Sequence, residues 1–199
     1  GIYLKQNNLE KAYKQFKNVA KKREDSRIYN YLAKTTILMK KYNEAQNYIK
    51  LSEQYEDRKG FLVLIKMLFL FEQNEYKKMK KLFTTQIEYP KHGYNFDNFV
   101  LGWSYYLMAK MYQTKLKEKK TAKYLQQGIK YFIEDNYILE SYYISKLIDI
   151  PNDSVEIQID EYIQKHSNIV KEYKDIFSLK EGNNNLLEFK ERYQEFNLL

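Results

Sequence analysis

The sequence predicts an all-α fold, an α-solenoid of antiparallel helix hairpins. Three observations predict it. Apolar residues recur at three and four positions almost throughout, and strict alternation is rare. Two prolines and six glycines in 199 residues are too few turn formers for a many-stranded sandwich. Related blocks also recur at intervals of 33 and 34 residues. Hydrophobic residues make up 44% and aromatics 17%, which argues for a packed core and against disorder. A chain of this size buries about 70% of its unfolded surface.

The elements follow in order. Gln6-Asn7-Asn8 is a polar turn ahead of Leu9-Glu10-Lys11-Ala12, the first block. Lys22 to Ser26 breaks the pattern, and Tyr29, Leu32-Ala33 and Thr36 resume it. After Lys40-Lys41 comes the stripe Tyr42, Ala45, Tyr48, Ile49 and Ser52, with Lys50 and Glu53 on other faces. Phe61 to Phe71 is an apolar run of eleven positions interrupted at Lys66. It is too short to span a bilayer and reads as a buried helix. Gln73-Asn74-Glu75 leads into Tyr76-Lys77-Lys78-Met79, and Tyr89 to Gly93 is the next break. Tyr105, Met108-Ala109 and Tyr112 mark another helix, and Tyr124, Leu125, Ile129, Phe132 and Ile133 its successor. Further breaks fall at Ile150 to Asp153 and at Gly182 to Asn185. Asp153 and Glu156 have capping-box spacing, and Gly182 suits a left-handed helix stop. The whole reads as about ten helices, each of roughly 12 to 20 residues.

Ala12, Ala45 and Met79 align, with a large residue four positions on in each block: Phe16, Ile49 and Phe83. A fourth block lies near Thr121-Ala122, with Ala122 43 residues after Met79. This pattern resembles the second helix of the tetratricopeptide repeat, whose small residue sits where two helices cross closely. Tyr105, Met108-Ala109 and Tyr112 resemble the aromatic and small positions of that family's first helix. The resemblance covers roughly residues 1 to 133 and implies a right-handed superhelix. In this register Gly1 to Leu4 aligns with the tail of a first helix, which predicts further sequence upstream.

The resemblance implies that first helices line a concave groove for a peptide or protein segment. Its candidate contacts here are Asn30, Lys34, Leu64, Leu68, Phe71, Trp103, Tyr106 and Lys110. Asn and Lys grip a peptide backbone or terminal carboxylate, while Leu64, Leu68 and Phe71 suit a partly apolar ligand. A narrower resemblance is to the C-terminal sensor region of bacterial peptide-responsive regulators. It implies a DNA-binding domain upstream, a short signalling peptide as ligand and a homodimer through C-terminal helices.

Catalytic and metal chemistry find little footing. Zero cysteines exclude a disulfide framework, a thiol nucleophile and cysteine zinc sites. His92 and His166 are 74 residues apart, and the glycines are solitary, with no phosphate-loop spacing. No enzyme activity and no cofactor are expected. No secretory signal or membrane span is visible, which together with the lack of cysteine predicts a cytoplasmic protein. Lysine clusters at 77 to 81 and 115 to 123, interleaved with 21 tyrosines, raise RNA or single-stranded DNA as an alternative ligand. Nucleic acid is disfavoured because most tyrosines fall at core spacing.

The net charge of +8 averages two unlike parts. Residues 1–133 carry 27 basic and 12 acidic side chains, and residues 134–199 carry 7 and 14. This predicts basic repeats followed by an acidic C-terminal cap in one continuous array. The cap would lie on its own repeats or on those of a second copy, as a homodimer contact.

Overall fold

A computed structural model describes residues 8–55, 59–89 and 96–135, with 137, 140, 141 and 144. All regular structure among the described residues is helical. The helices are α1 (Leu9–Ala20), α2 (Ser26–Leu38), α3 (Tyr42–Glu53), α4 (Lys59–Glu72), α5 (Tyr76–Phe83), α6 (Asn98–Thr114) and α7 (Glu118–Glu134). A π-helical turn, Thr84–Glu88, continues α5. The breaks predicted at Ile150 to Asp153 and Gly182 to Asn185, and nearly all of the acidic segment 134–199, lie outside the described residues. Two compact units divide the chain, the first running to Val100 and the second beginning at Leu101.

Three of the connections are one motif used three times. Each is closed by a residue in the left-handed region: Lys40 (φ 59°), Asn74 (φ 58°) and Leu116 (φ 52°). In the first, the Lys41 N–H donates to the Thr36 carbonyl at 2.8 Å and the Lys40 N–H to Ile37 at 2.8 Å. Glu75 to Leu70 and Asn74 to Phe71 repeat this at 2.8 and 2.9 Å, and Lys117 to Tyr112 and Leu116 to Gln113 at 3.0 and 2.9 Å. These are the paired bonds of a Schellman stop, which satisfy carbonyls that a helix end otherwise leaves unpaired. The next helix begins one residue later. Its first backbone bond returns to the residue after the left-handed one: Ala45 to Lys41, Met79 to Glu75 and Thr121 to Lys117.

That last donor is the aligned position of the sequence. Ala45 and Met79 are fully buried, Thr121 nearly so, and Ala12, held the same way by Asn8, joins them. The fourth member is therefore Thr121, 42 residues after Met79, and its half-buried neighbour Ala122 is not. Four residues on, Ile49, Phe83 and Leu125 are buried and Phe16 is half-buried.

Within the first unit α2 packs on α1, α3 and α4, and α4 packs on α3 and α5. Rings stitch the layers. Phe16 of α1 stacks on Tyr31 of α2 at 5.1 Å, and Tyr31 meets Phe61 of α4 edge-on at 6.0 Å. Tyr42 of α3 meets Phe69 of α4 at 6.3 Å. Such pairs contribute about 0.5 to 1.5 kcal/mol beyond simple burial. α4 is the apolar run of the sequence, and Leu64, Ile65, Met67 and Leu68 are fully buried.

In the second unit α6 and α7 approach at two glycines. A Cβ on Gly128 would lie 2.9 Å from the Gly102 carbonyl, and one on Gly102 would meet the Phe132 ring at 2.5 Å. Here glycine is required by proximity. Trp103 packs edge-on against Phe132 at 5.6 Å beside this crossing.

Two outcomes follow. Lys40→Gly relieves the left-handed cost of a Cβ-bearing residue and raises stability by about 0.5 to 1 kcal/mol in urea denaturation. Asn74→Gly gains less, because asparagine tolerates this region. Gly128→Ala costs about 1 to 3 kcal/mol, since its obstacle is backbone that yields only if the helices part.

Candidate functional site

The predicted groove contacts occupy α2, α4 and α6. Asn30 and Lys34 stand one turn apart on α2. Leu64, Leu68 and Phe71 follow along α4, and Trp103, Tyr106 and Lys110 along α6. Six of the eight are buried to within 1% of complete: Asn30, Lys34, Leu64, Leu68, Trp103 and Tyr106. Phe71 and Lys110 are half-buried. A ligand reaching the six must enter between packed helices. Phe71 lies against the Tyr76 ring at 5.9 Å, and Trp103 meets Tyr106 edge-on at 5.4 Å. The α6 residues belong to the second unit and the others to the first.

Polar groups cluster where α2 meets α3. Ser52 donates its hydroxyl to Asn30 Oδ1 at 2.9 Å, with the Ser26 carbonyl 3.3 Å away as a second acceptor. This bond orients the amide. Its other end, Nδ2, is buried and has no hydrogen-bond partner. A buried amide N–H left in this way costs about 1 to 3 kcal/mol, so it stands out as a donor that the fold does not use. Thr36 on the same helix spends its hydroxyl locally, on the Leu32 and Ala33 carbonyls at 2.8 and 3.0 Å.

A second feature was not legible from the alignment. The end of α3, the start of α4 and the π-helical turn enclose a half-open cleft of about 300 Å³, which also takes in Phe96. Its apolar lining includes Leu62, Val63 and Phe96, and its polar lining Glu53, Lys66 and Gln86. Lys66 Nζ lies 2.6 Å from Glu53 Oε1. The charge that interrupts the apolar run of α4 is thus placed at the cleft, and it was the one signal in the sequence. The volume is at the lower end for small-molecule sites and suits a single side chain of a larger ligand.

A tyrosine cluster links α1, α2 and α3. Tyr13 of α1 donates to Glu44 of α3 and lies 3.4 Å from the Tyr48 hydroxyl. Lys17 and Lys41 each approach the Tyr13 ring at 5.3 Å. Burial, then the bonds to Glu44 and Tyr48, push the Tyr13 phenol well above its ordinary range. Burial and the charge of Glu24 raise Tyr29, and burial and the charge of Glu72 raise Tyr42. Tyr29 stacks on Tyr48 at 6.5 Å and lies tilted against Tyr55 at 5.7 Å.

No group of three or more His, Asp or Glu able to hold a metal occurs among the described residues. None of the described helices is long and apolar enough to cross a membrane. Comparison with protein families, with curated proteins and with solved structures yields no match in any of the three.

The tyrosine cluster sets a pH response. The folded chain holds these phenolic protons more tightly than the unfolded chain, whose tyrosines titrate near about pH 10. Stability is full below that pH and falls as pH rises past it. Urea midpoints measured from neutral to strongly alkaline pH show this fall. Tyr13→Phe makes it shallower and costs about 1 kcal/mol at neutral pH through the lost bond to Glu44.

Proposed function

We propose that the chain is a non-catalytic scaffold of tetratricopeptide-like hairpins that binds a peptide or a segment of another protein. The observation that carries this reading is the threefold recurrence of the same left-handed helix stop. Each time, a buried residue follows at the same offset, in the register of the sequence repeat. Repeats built alike bury their apolar faces on like neighbours, the arrangement on which peptide-binding repeat scaffolds rest.

Within the first unit, Asn30 supplies an amide donor for a ligand carbonyl, and the cleft beside Lys66 receives a side chain. Lys34 adds positive charge to the same helix as Asn30. The acidic segment 134–199 complements the basic repeats and serves as cap or homodimer contact. The excess of basic side chains in residues 1–133 makes an acidic or carboxylate-bearing peptide the better ligand class for them.

A peptide array probed with the full chain, followed by titration of the best binders, tests the reading. Asn30→Ala and Lys66→Ala each weaken the best peptide about tenfold, the worth of one hydrogen bond to a charged or buried group. Lys66→Ala shifts the urea midpoint little, because its ion pair with Glu53 is half-exposed. Asn30→Ala lowers stability by about 1 to 3 kcal/mol, because the buried Ser52 hydroxyl loses its acceptor. Binding is therefore compared under conditions where both variants are folded. Binding that survives both changes, and Lys34→Ala as well, places the contact elsewhere.

A further inference from the structure

The loop between α6 and α7 departs from its two counterparts. Where they place Lys40 and Asn74 in the left-handed position, it places Leu116, which is 90% exposed. Conformation does not account for this leucine, since the position penalises any Cβ. Packing does not account for it either, since almost its whole surface meets solvent. Around it Lys115, Lys117, Lys119, Lys120 and Lys123 are all exposed, against the single carboxylate of Glu118. The loop is also tightly closed by the Lys117 to Tyr112 and Leu116 to Gln113 bonds at 3.0 and 2.9 Å. Leu116 therefore projects from an ordered tip and needs no further ordering on contact.

We propose that this tip docks the protein on an anionic membrane surface. Leu116 enters the boundary between headgroups and acyl chains, and the lysines lie along the phosphates and carboxylates above it. Lysine suits this depth because its stem lies on apolar surface while its ammonium stays in water. Each lysine held at an anionic leaflet raises binding roughly fivefold, and an inserted leucine adds roughly tenfold. Neither term alone anchors a protein, but two weak signals together do. A single-stranded nucleic acid fits the tip less well, because base recognition needs an aromatic platform. Tyr112, whose ring has Lys120 over it at 5.3 Å, is buried. An acidic protein surface uses the lysines but leaves Leu116 without a role.

The test is co-sedimentation of the full chain with vesicles of phosphatidylcholine, with and without phosphatidylserine. Partition onto the anionic vesicles exceeds that onto neutral ones by tenfold or more and falls as salt is added. Leu116→Gly, which suits the left-handed turn better than leucine, keeps or raises the thermal midpoint and lowers the partition about tenfold. Lys119→Glu with Lys120→Glu, placed where a helix N-terminus favours acid, abolishes it. Because the chain has no cysteine, Leu116→Cys carries a single environment-sensitive dye, whose emission shifts to the blue on anionic vesicles. Indifference to phosphatidylserine overturns the proposal, and so does unchanged partition of Leu116→Gly. A chain that ignores vesicles but binds polyuridylate or polyglutamate overturns it in favour of a soluble polyanion.

Discussion

The architecture depends on how sharply the chain reverses between paired helices. A helix that ends in a left-handed residue turns within one residue and restarts one residue later. This leaves no freedom in which residue of the new helix first faces the old one. The buried position four residues after each cap is the result. Loop geometry fixes phase, phase fixes which side chains are buried, and burial fixes which residues must be small or apolar. At Lys40 and Leu116 the chain accepts a backbone conformation that costs about 1 to 2 kcal/mol for such residues. The hydrogen bonds that close the turn offset that cost.

This ordering explains what could be read in the sequence. The hairpin register was legible because Ala12, Ala45 and Met79 sit at a fixed offset from a polar turn. For the fourth block the sequence offers the pair Thr121-Ala122, and its spacing from Met79 is counted to Ala122, whereas geometry selects the buried Thr121. The left-handed residues themselves were illegible. Lysine and leucine are poor signals for that conformation, and only Asn74 is of the expected type. The candidate groove residues share a place on α2, α4 and α6, which pattern reveals. Their burial depends on what packs over them, which pattern does not reveal.

The cleft shows the same limit from the other side. It is made by segments distant in sequence, so no local spacing announces it. Lys66 was visible as a charge in an apolar run, but its meaning required Glu53 on the preceding helix. The tyrosines divide likewise. At Tyr13, Tyr29 and Tyr48 the ring packs between helices, and at Tyr13 the hydroxyl reaches a carboxylate. High tyrosine content here builds interfaces that are apolar in body and polar at the rim.

Trp103 is the only tryptophan in the chain, and it lies fully buried in α6 against Phe132 and Tyr106. Selective excitation of its indole therefore reports on the second unit alone, while far-ultraviolet dichroism sums over both. Coincident curves from the two signals would mean that the units melt as one cooperative body. Separated curves would mean that α2 and α4 loosen independently of the helices that flank Leu116. The molecule thus contains an optical label, placed by its own packing, that distinguishes its halves.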